Sequence, residues 1–362
     1  MNHIQNVQKA LAAEALDAVL LTGEANRYYA AGFFTPNGDA VALVSRESAW
    51  FFTDARYTEA AGRALEGMEL RELTADRPFS AQLKALAEEG TFRRLGFEDA
   101  VMSVQAFRRL EETLSGLEAP CGMVPASEWL GKLRQSKDKE ELAALEAAQR
   151  IAERALEDIL KELRPGVTEK EIAARLQYRM LHYGASDMSF DPIVVSGANG
   201  SLPHGAPSEK VIQAGEFVTM DFGCIFRGYC SDMTRTVAVG HATEEMRRVY
   251  QTVLEAQLAG IAAARAGVTG KAVDAAAREV IAAAGFGPYF THSFGHGVGV
   301  EIHEAPNLSS RNETPLPAGA VVSAEPGIYL PGKMGVRIED VIVLTEEGYV
   351  DLTRAPKELL VL

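Results

Sequence analysis

Ala214-Gly-Glu-Phe-Val-Thr-Met-Asp221-Phe-Gly223 and Ala318-Gly-Ala-Val-Val-Ser-Ala-Glu325-Pro-Gly327 are two versions of one segment, 104 residues apart (318 against 214). Each carries a carboxylate six residues beyond its first glycine (221 against 215, 325 against 319). Ser189-Phe190 returns at the same offset as Ser293-Phe294. Arg164-Pro-Gly-Val-Thr-Glu-Lys returns as Arg265-Ala-Gly-Val-Thr-Gly-Lys at an offset of 101 (265 against 164). Three similarities in one order at nearly constant spacing mark an internal duplication. In both copies the threonine, Thr168 or Thr269, is a good N-cap. A helix is expected from there to Gly184 or Gly285, because glycine tolerates the left-handed turn beyond a helix end. The reading is two pseudo-equivalent halves of helices and hairpins.

In the first half, residues 218–222 and 229–239 read as extended, separated by Gly223 and Gly228. Side chains alternate on a strand, so Thr219 and Asp221 share one face while Val218, Met220 and Phe222 face a core. Asp232, Thr234 and Thr236 likewise share a face. In the second half, Glu325 and Glu339 are expected on the corresponding strands, with Arg337 on the face of Glu339. Four acids gathered in an interior need compensation, since one unpaired buried ion costs several kcal/mol. A structural network of arginine pairs is one answer and divalent metal the other.

Four of the seven histidines, His204, His292, His296 and His303, fall in glycine- or loop-rich parts of this region. His296 is flanked by Gly295, Gly297 and Gly299, which let backbone close around a ligand. An Asp/Glu/His set with a single imidazole suits a pair of borderline-hard ions such as Mn, Co, Fe or Zn. Bridging carboxylates hold two such ions about 3.5–4 Å apart. His296 and His303 are seven residues apart, an odd spacing that puts them on opposite faces of a regular strand. His292 matches no ligand position, and Cys224 and Cys230, flanking the hairpin turn, read as core filling.

Upstream, residues 1–125 alternate helices and strands. An amphipathic opening carries Ile4, Val7, Leu11 and Leu16, and short apolar runs follow at 18–21, 41–44, 50–53 and 94–97. This is an α/β domain without a chemical constellation; Asp54, Arg56 and Tyr57 form a polar cluster with a structural reading. The pattern breaks at Pro125 and the stretch Gly131-Lys-Leu-Arg-Gln-Ser-Lys, so 126–137 is taken as a linker and 138–362 as the second domain. A long helix then opens with a capping box of Asp138 and Glu141 and ends at Pro165-Gly166.

The 362 residues carry a formal net charge of −14, which disfavours nucleic acid and anionic membrane as partners. No apolar run approaches the roughly 20 residues needed to cross a bilayer. The start is polar with no secretory apolar region. Three cysteines without a CxxC pair fit a reducing cytoplasm rather than a disulfide framework.

Asp221-Phe-Gly, Asp232 in Ser-Asp-Met-Thr-Arg-Thr, His296 in Gly-His-Gly-Val-Gly, Glu325 in Glu-Pro-Gly-Ile-Tyr and Glu339 in Arg-Ile-Glu-Asp follow one another in order. As a set they resemble the pita-bread metallopeptidases of the prolidase and Xaa-Pro aminopeptidase (aminopeptidase P) branch. Residues 1–125 resemble the creatinase-type domain of that branch through Arg27-Tyr-Tyr-Ala-Ala-Gly-Phe and Thr53-Asp-Ala-Arg-Tyr. The resemblance implies an α+β protein: an N-terminal α/β creatinase-like domain, then a pita-bread domain of two duplicated helix/antiparallel-sheet halves.

It further implies two divalent metal ions, Mn foremost and Co, Fe or Zn as alternatives. Asp221, Asp232 and Glu339 would hold one ion, and Asp232, His296, Glu325 and Glu339 the other. A metal-bridging hydroxide would attack the Xaa-Pro bond at a peptide's N-terminus, with Glu325 as proton shuttle. His303 would position the substrate and stabilise the oxyanion, His204 would contact substrate near the scissile bond, and Arg337 would orient the metal-bound carboxylates. The implied partners are a proline-containing peptide and a second copy in a homodimer. A methionine aminopeptidase-like exopeptidase shares the catalytic fold, but its motif has Met after Glu-Pro where Gly327 stands here. A non-catalytic pita-bread binding protein would not need the intact ligand set. Some prolidases carry an arginine just after His-Glu-x-Pro to meet a dipeptide's carboxylate. Here Asn307 follows His303-Glu-Ala-Pro306, and Arg311 stands four residues on.

Overall fold

The computed structural model describes residues 2–362 and divides into two compact units, Met1–Arg134 and Gln135–Leu362. The first holds α1 (Ile4–Ala13), β1 (Ala18–Leu21), α2 (Glu24–Ala31), β2 (Ala40–Ser45), β3 (Ala49–Thr53), α3 (Thr58–Ala64), β4 (Glu69–Glu72), α4 (Phe79–Glu88), β5 (Arg94–Phe97), α5 (Val104–Ser115), β6 (Gly122–Pro125) and α6 (Ser127–Gln135). Its six strands make one mixed sheet in the order β4-β3-β2-β1-β5-β6. The central strands are buried on both sides, so they read as continuous apolar runs. α1 lays Ile4, Val7 and Leu11 on one sheet face together with Phe51, and Leu83, Leu86 and Leu110 cover the other with Phe52.

The stretch 126–137, expected as a linker, is mostly helix: α6 packs Trp129 and Leu130 into the core of the first unit. Its charged residues misled the reading, because only two or three apolar side chains anchor so short a helix. Arg27, a fully buried side chain, donates to the carbonyls of Thr22 at 2.7 Å and Pro36 at 3.1 Å, a structural use. Arg56 and Tyr57 bond Asp39 on the surface.

The second unit opens with α7 (Lys139–Glu162), whose capping box of Asp138 and Glu141 is complete, and α8 (Glu169–His182). There follow β7 (Asp187–Met188), β8 (Ile193–Ser196), β9 (Phe217–Phe222), β10 (Cys224–Phe226), β11 (Tyr229–Cys230) and β12 (Met233–Ala238). The second half runs α9 (Glu244–Ala263), α10 (Gly270–Ala283), β13 (Gly295–Gly297), β14 (Glu304–Leu308), β15 (Val321–Ala324), β16 (Gly327–Leu330), β17 (Met334–Arg337), β18 (Asp340–Leu344) and β19 (Tyr349–Asp351). Sheets β12-β9-β8 and β14-β13-β15-β18-β19 carry the two halves, with β11-β10-β7 and the β16–β17 hairpin beside them.

The duplication is visible bond by bond. Gly166 N donates to Ile212 O at 3.1 Å as Gly267 N does to Leu316 O at 2.9 Å. Lys170 N donates to Ser208 O at 3.1 Å as Lys271 N does to Asn312 O at 2.8 Å. Thr168 and Thr269 cap α8 and α10, and Gly184 and Gly285 beyond their ends take φ of 104° and 87°. Val218, Met220 and Phe222 enter the first-half core, as their alternation predicts. No helix among the described residues is long and apolar enough to cross a membrane.

Candidate metal centre

Asp221 sits near the end of β9, paired with Thr234 of β12, and Thr219 pairs with Thr236. The two threonine hydroxyls bond at 3.0 Å. The single strand expected over 229–239 is broken. At Gly223, where a Cβ would stand 1.9 Å from Ser231 O, the chain leaves β9 and forms the β10–β11 hairpin. It re-enters at Asp232, whose N–H donates to Gln149 Oε1 at 3.4 Å. That detour puts Asp232 just ahead of β12 instead of inside a strand.

The second half repeats the device with longer acids. Glu325 falls one residue past β15 and Glu339 falls between β17 and β18, so both stand at strand junctions rather than on strands. Glu325 N–H donates to Phe294 O at 2.8 Å, and Glu339 N–H donates to Thr234 O at 3.1 Å. Thr234 Oγ1 donates to Glu339 Oε2 at 2.7 Å. His296, on β13, has Nδ1 at 3.1 Å from Gly297 O. A carbonyl only accepts, so Nδ1 carries a proton and Nε2 is left facing the acids. Nε2 lies 3.2 Å from Glu325 Oε1 and 3.6 Å from Asp232 Oδ2.

Asp232, His296 and Glu339 each offer one ligand atom, all within 4.8 Å of one another. Asp221 and Glu325 complete the cluster, and all five residues line one cavity of about 620 Å³. Burial drives the carboxyls of Asp232 and Glu339 well above the usual range, and neighbouring acids add to it. Burial would lower His296, but its bond to Glu325 and the acids' charge outweigh that and lift it to about 9. Glu325 is pulled to about 2 against the cost of burial, its bond to His296 being the first cause. Burial and mutual repulsion oppose full ionisation of these acids, and a divalent cation among them would relieve both.

Two atoms test whether a metal fits. Asp221 Oδ1 and Glu339 Oε1 are buried and have no hydrogen-bond partner. A buried carboxyl oxygen left so has lost its water without a replacement bond, and any charge on it raises the cost. A cluster of four carboxylates and one imidazole, with two open oxygens, fits divalent ions.

Arg337, at the end of β17, closes a salt bridge from Nη2 to Asp221 Oδ2. Its Nη1 donates to Tyr329 Oη at 2.8 Å, and Nε donates to Thr234 Oγ1 at 3.1 Å. Tyr329 Oη is 2.9 Å from His292 Nε2, while His292 Nδ1 is 2.9 Å from Ser293 O. The carbonyl fixes the His292 proton on Nδ1, so Tyr329 donates to Nε2 and accepts from Arg337. Burial pushes the Tyr329 hydroxyl up to about 12, which keeps it a donor. The sequence reading missed this chain. Tyr329 lay inside Glu-Pro-Gly-Ile-Tyr without a role, and His292 matched nothing.

His204 and His303 both line the cavity and are exposed. The odd spacing of His296 and His303 proves uninformative, because β13 and β14 form a hairpin with Gly297 opposite Glu304. Their rings stand 4.3 Å apart, edge to face. Partial desolvation by the cavity wall, then the nearby His296, hold the His303 imidazole below its ordinary value, so it is neutral at pH 7. Phe190, Pro192, Ile193 and Ile302 give the cavity an apolar wall. From the segment after His303, Asn307 and Ser309 line it. Cys224 and Cys230 are free and buried.

A profile of metallopeptidase family M24 matches residues 143–346, and one of the creatinase/prolidase N-terminal domain matches residues 3–136. The chain is 44% identical to the "Uncharacterized peptidase YqhT" of Bacillus subtilis (strain 168), over 96% of each chain. It is similar to the solved structure of the Xaa-Pro dipeptidase from Bacillus anthracis, with a TM-score of 0.92 and 43% identity over 99% of each chain. A second solved structure, X-Pro aminopeptidase from Thermotoga maritima, matches with a TM-score of 0.92 and 37% identity over the whole of both chains.

Proposed function

The chain belongs to metallopeptidase family M24, with a creatinase/prolidase N-terminal domain, and on that premise we propose that it hydrolyses the Xaa-Pro bond at the N-terminus of peptides or dipeptides. It is a metallo-exopeptidase, and its relatives named Xaa-Pro dipeptidase and X-Pro aminopeptidase support the proline preference. The observation that carries the chemistry is the pair of buried, partnerless oxygens, Asp221 Oδ1 and Glu339 Oε1, in a five-residue ligand set.

In this reading Asp221, Asp232 and Glu339 would hold one divalent ion, and Asp232, His296, Glu325 and Glu339 would hold the other. When bound, such ions, Mn foremost, would supply Lewis-acid polarisation of the scissile carbonyl and a water nucleophile at neutral pH. The chain's own residues do the rest. Glu325, held by Ser323 Oγ at 3.1 Å, takes the proton of the attacking water and delivers it to the leaving nitrogen. Like every amide leaving group, the proline nitrogen must gain one proton to depart as an amine. His303, neutral and beside His296, donates to the oxyanion, and His204 contacts substrate. Arg337 keeps Asp221 oriented, and its charge opposes the burial that raises the Asp221 carboxyl.

Three free cysteines suit the reducing cytoplasm, and a homodimer is the assembly this reading expects, checked by light scattering. The deciding experiment compares Ala-Pro, Ala-Pro-Ala and Ala-Ala with manganese added and bound metal measured. Cleavage of the proline peptides and not of Ala-Ala is expected. Metal-loaded protein that cuts neither proline peptide sinks the reading. The ratio of the first two substrates sorts dipeptidase from aminopeptidase.

A further inference from the structure

His204 makes no side-chain hydrogen bond among the described residues, so its direction is set by the loop that carries it. That loop leaves β8 at Ser196, runs through a 3-10 turn (Gly197–Ser201), and supplies Pro203, His204, Gly205, Ala206 and Pro207 to the cavity. Both of its ends are held by one side chain. Glu169, the first residue of α8, is 0% exposed. Its Oε1 accepts from Ser196 N–H at 2.7 Å and Ser196 Oγ at 2.8 Å. Its Oε2 accepts from Ser208 Oγ at 2.6 Å and Ser208 N–H at 3.2 Å, and Asn199 Nδ2 reaches both oxygens at 3.2 Å. Every direct partner is neutral, and these dipoles and the N-terminus of α8 favour a carboxylate here. Lys210 adds a contact to Ser196 Oγ at 2.8 Å, and that hydroxyl can then give its own proton only to Glu169.

On its other side the loop rests on the second half. Arg337 Nη1 donates to Pro203 O at 3.3 Å and Gly332 N–H to Ser201 Oγ at 3.3 Å. A Cβ on Gly335 would stand 1.8 Å from Gly200 O, so the two backbones are in direct contact. The loop is clamped between a rigid hairpin and one buried acid. The equivalent place in the second half is Gly270 (offset 101 from 169), where a Cβ would meet Asn307 O at 2.3 Å. There backbone closes on backbone, and no acid is needed.

We propose that Glu169 is a positioning residue: by clasping Ser196 and Ser208 it fixes the loop that aims His204 into the cavity, and thereby sets affinity for the peptide substrate. This rests on the Xaa-Pro reading above. Glu169→Gln keeps the size of the side chain but turns an amide donor toward donors. The expected result is a KM for Ala-Pro-Ala raised about tenfold, with kcat changed less than about threefold and bound manganese unchanged. In a His204→Ala background the same substitution is expected to add little, since both changes remove one function. Amide hydrogen exchange across 197–208 is expected to rise in Glu169→Gln while exchange across 217–238 stays as it was. Full additivity with His204→Ala, or unchanged exchange in the loop, overturns the proposal. If Glu169→Gln does not fold, Ser208→Ala removes part of the clasp and must show the same pattern. A wild type that cleaves no proline peptide sinks the proposed function instead, and the exchange arm still decides whether the clasp orders the loop.

Discussion

The two halves of the second unit share a hydrogen-bond plan and differ in what they hang on it. Asp221 is opposite Thr234 in the first ladder, and Ala324 is opposite Asp340 in the second. With Asp221 matched to Glu325, Thr234 matches Glu339 and Arg235 matches Asp340. These matched residues meet each other: Thr234 Oγ1 bonds Glu339 Oε2 at 2.7 Å, and Arg235 Nη2 pairs with Asp340 Oδ1 at 2.8 Å. The halves therefore join across a local pseudo-twofold, and the joint is built from residues that have diverged into complementary pairs. The first half contributes short aspartates close to the backbone, which suits fixed ligands. The second contributes glutamates at strand ends, an imidazole, an arginine and a tyrosine, which suits proton movement and orientation. Duplication supplied the scaffold, and divergence supplied the chemistry.

The harshest way to break this comparison is Glu339→Ala, which removes the second half's acid from the joint. Elemental analysis should find one or both ions lost and turnover almost abolished, with circular dichroism unchanged. Retained metal and activity would show that Glu339 is not an essential ligand. Arg235→Met attacks the joint and leaves every ligand side chain in place, though it also removes a bond from Arg235 Nη1 to Glu339 O at 2.6 Å. Asp340 is 0% exposed and would keep only Gln257 and Lys357 as partners. A loss of about 3 kcal/mol in urea unfolding is expected, the lower end for a broken buried pair.

Tyr329→Phe sharpens the division of labour. It leaves every acid in place but removes the shorter of the two bonds of Arg337 Nη1, leaving the one to Pro203 O at 3.3 Å. Manganese affinity should fall about 10–100-fold in chelator competition, the range for partners that orient metal ligands. An unchanged affinity would reduce the His292–Tyr329 pair to packing.

The smallest effect lies on the outer helices. In the first half Glu162 accepts from Arg175 Nη1 at 2.9 Å and Arg179 Nη2 at 2.8 Å, whereas α9 and α10 meet through apolar residues such as Ala256 and Ala277. Arg179 and Arg175 hold the Glu162 carboxyl below its ordinary value despite some opposing desolvation. A lowered acid stabilises the fold above its unfolded value and ceases to do so as pH falls through the folded one. Glu162→Gln should therefore cost under about 1 kcal/mol at pH 7. That penalty should fade below about pH 4. A penalty that persists at low pH would assign the effect to packing.

The identities of the acids, their spacing and the doubling of the scaffold were legible in the chain. So were the caps at Thr168, Thr269 and Asp138, since capping and alternation act within a few residues. The helix over Ser127–Gln135 was not, because its few anchoring side chains gain their meaning only from the core they enter. By itself the sequence determined which residue types stand at the site and that they come in two sets. Only the tertiary structure decided their partners: Arg337 joins Asp221 across 116 positions and Thr234 joins Glu339 across 105. It also folded His303 back beside His296 and closed Glu169 over the ends of the His204 loop. Periodicity reports on neighbours along the chain, whereas a hydrogen bond between distant positions depends on how the strands and loops that carry them are placed in space.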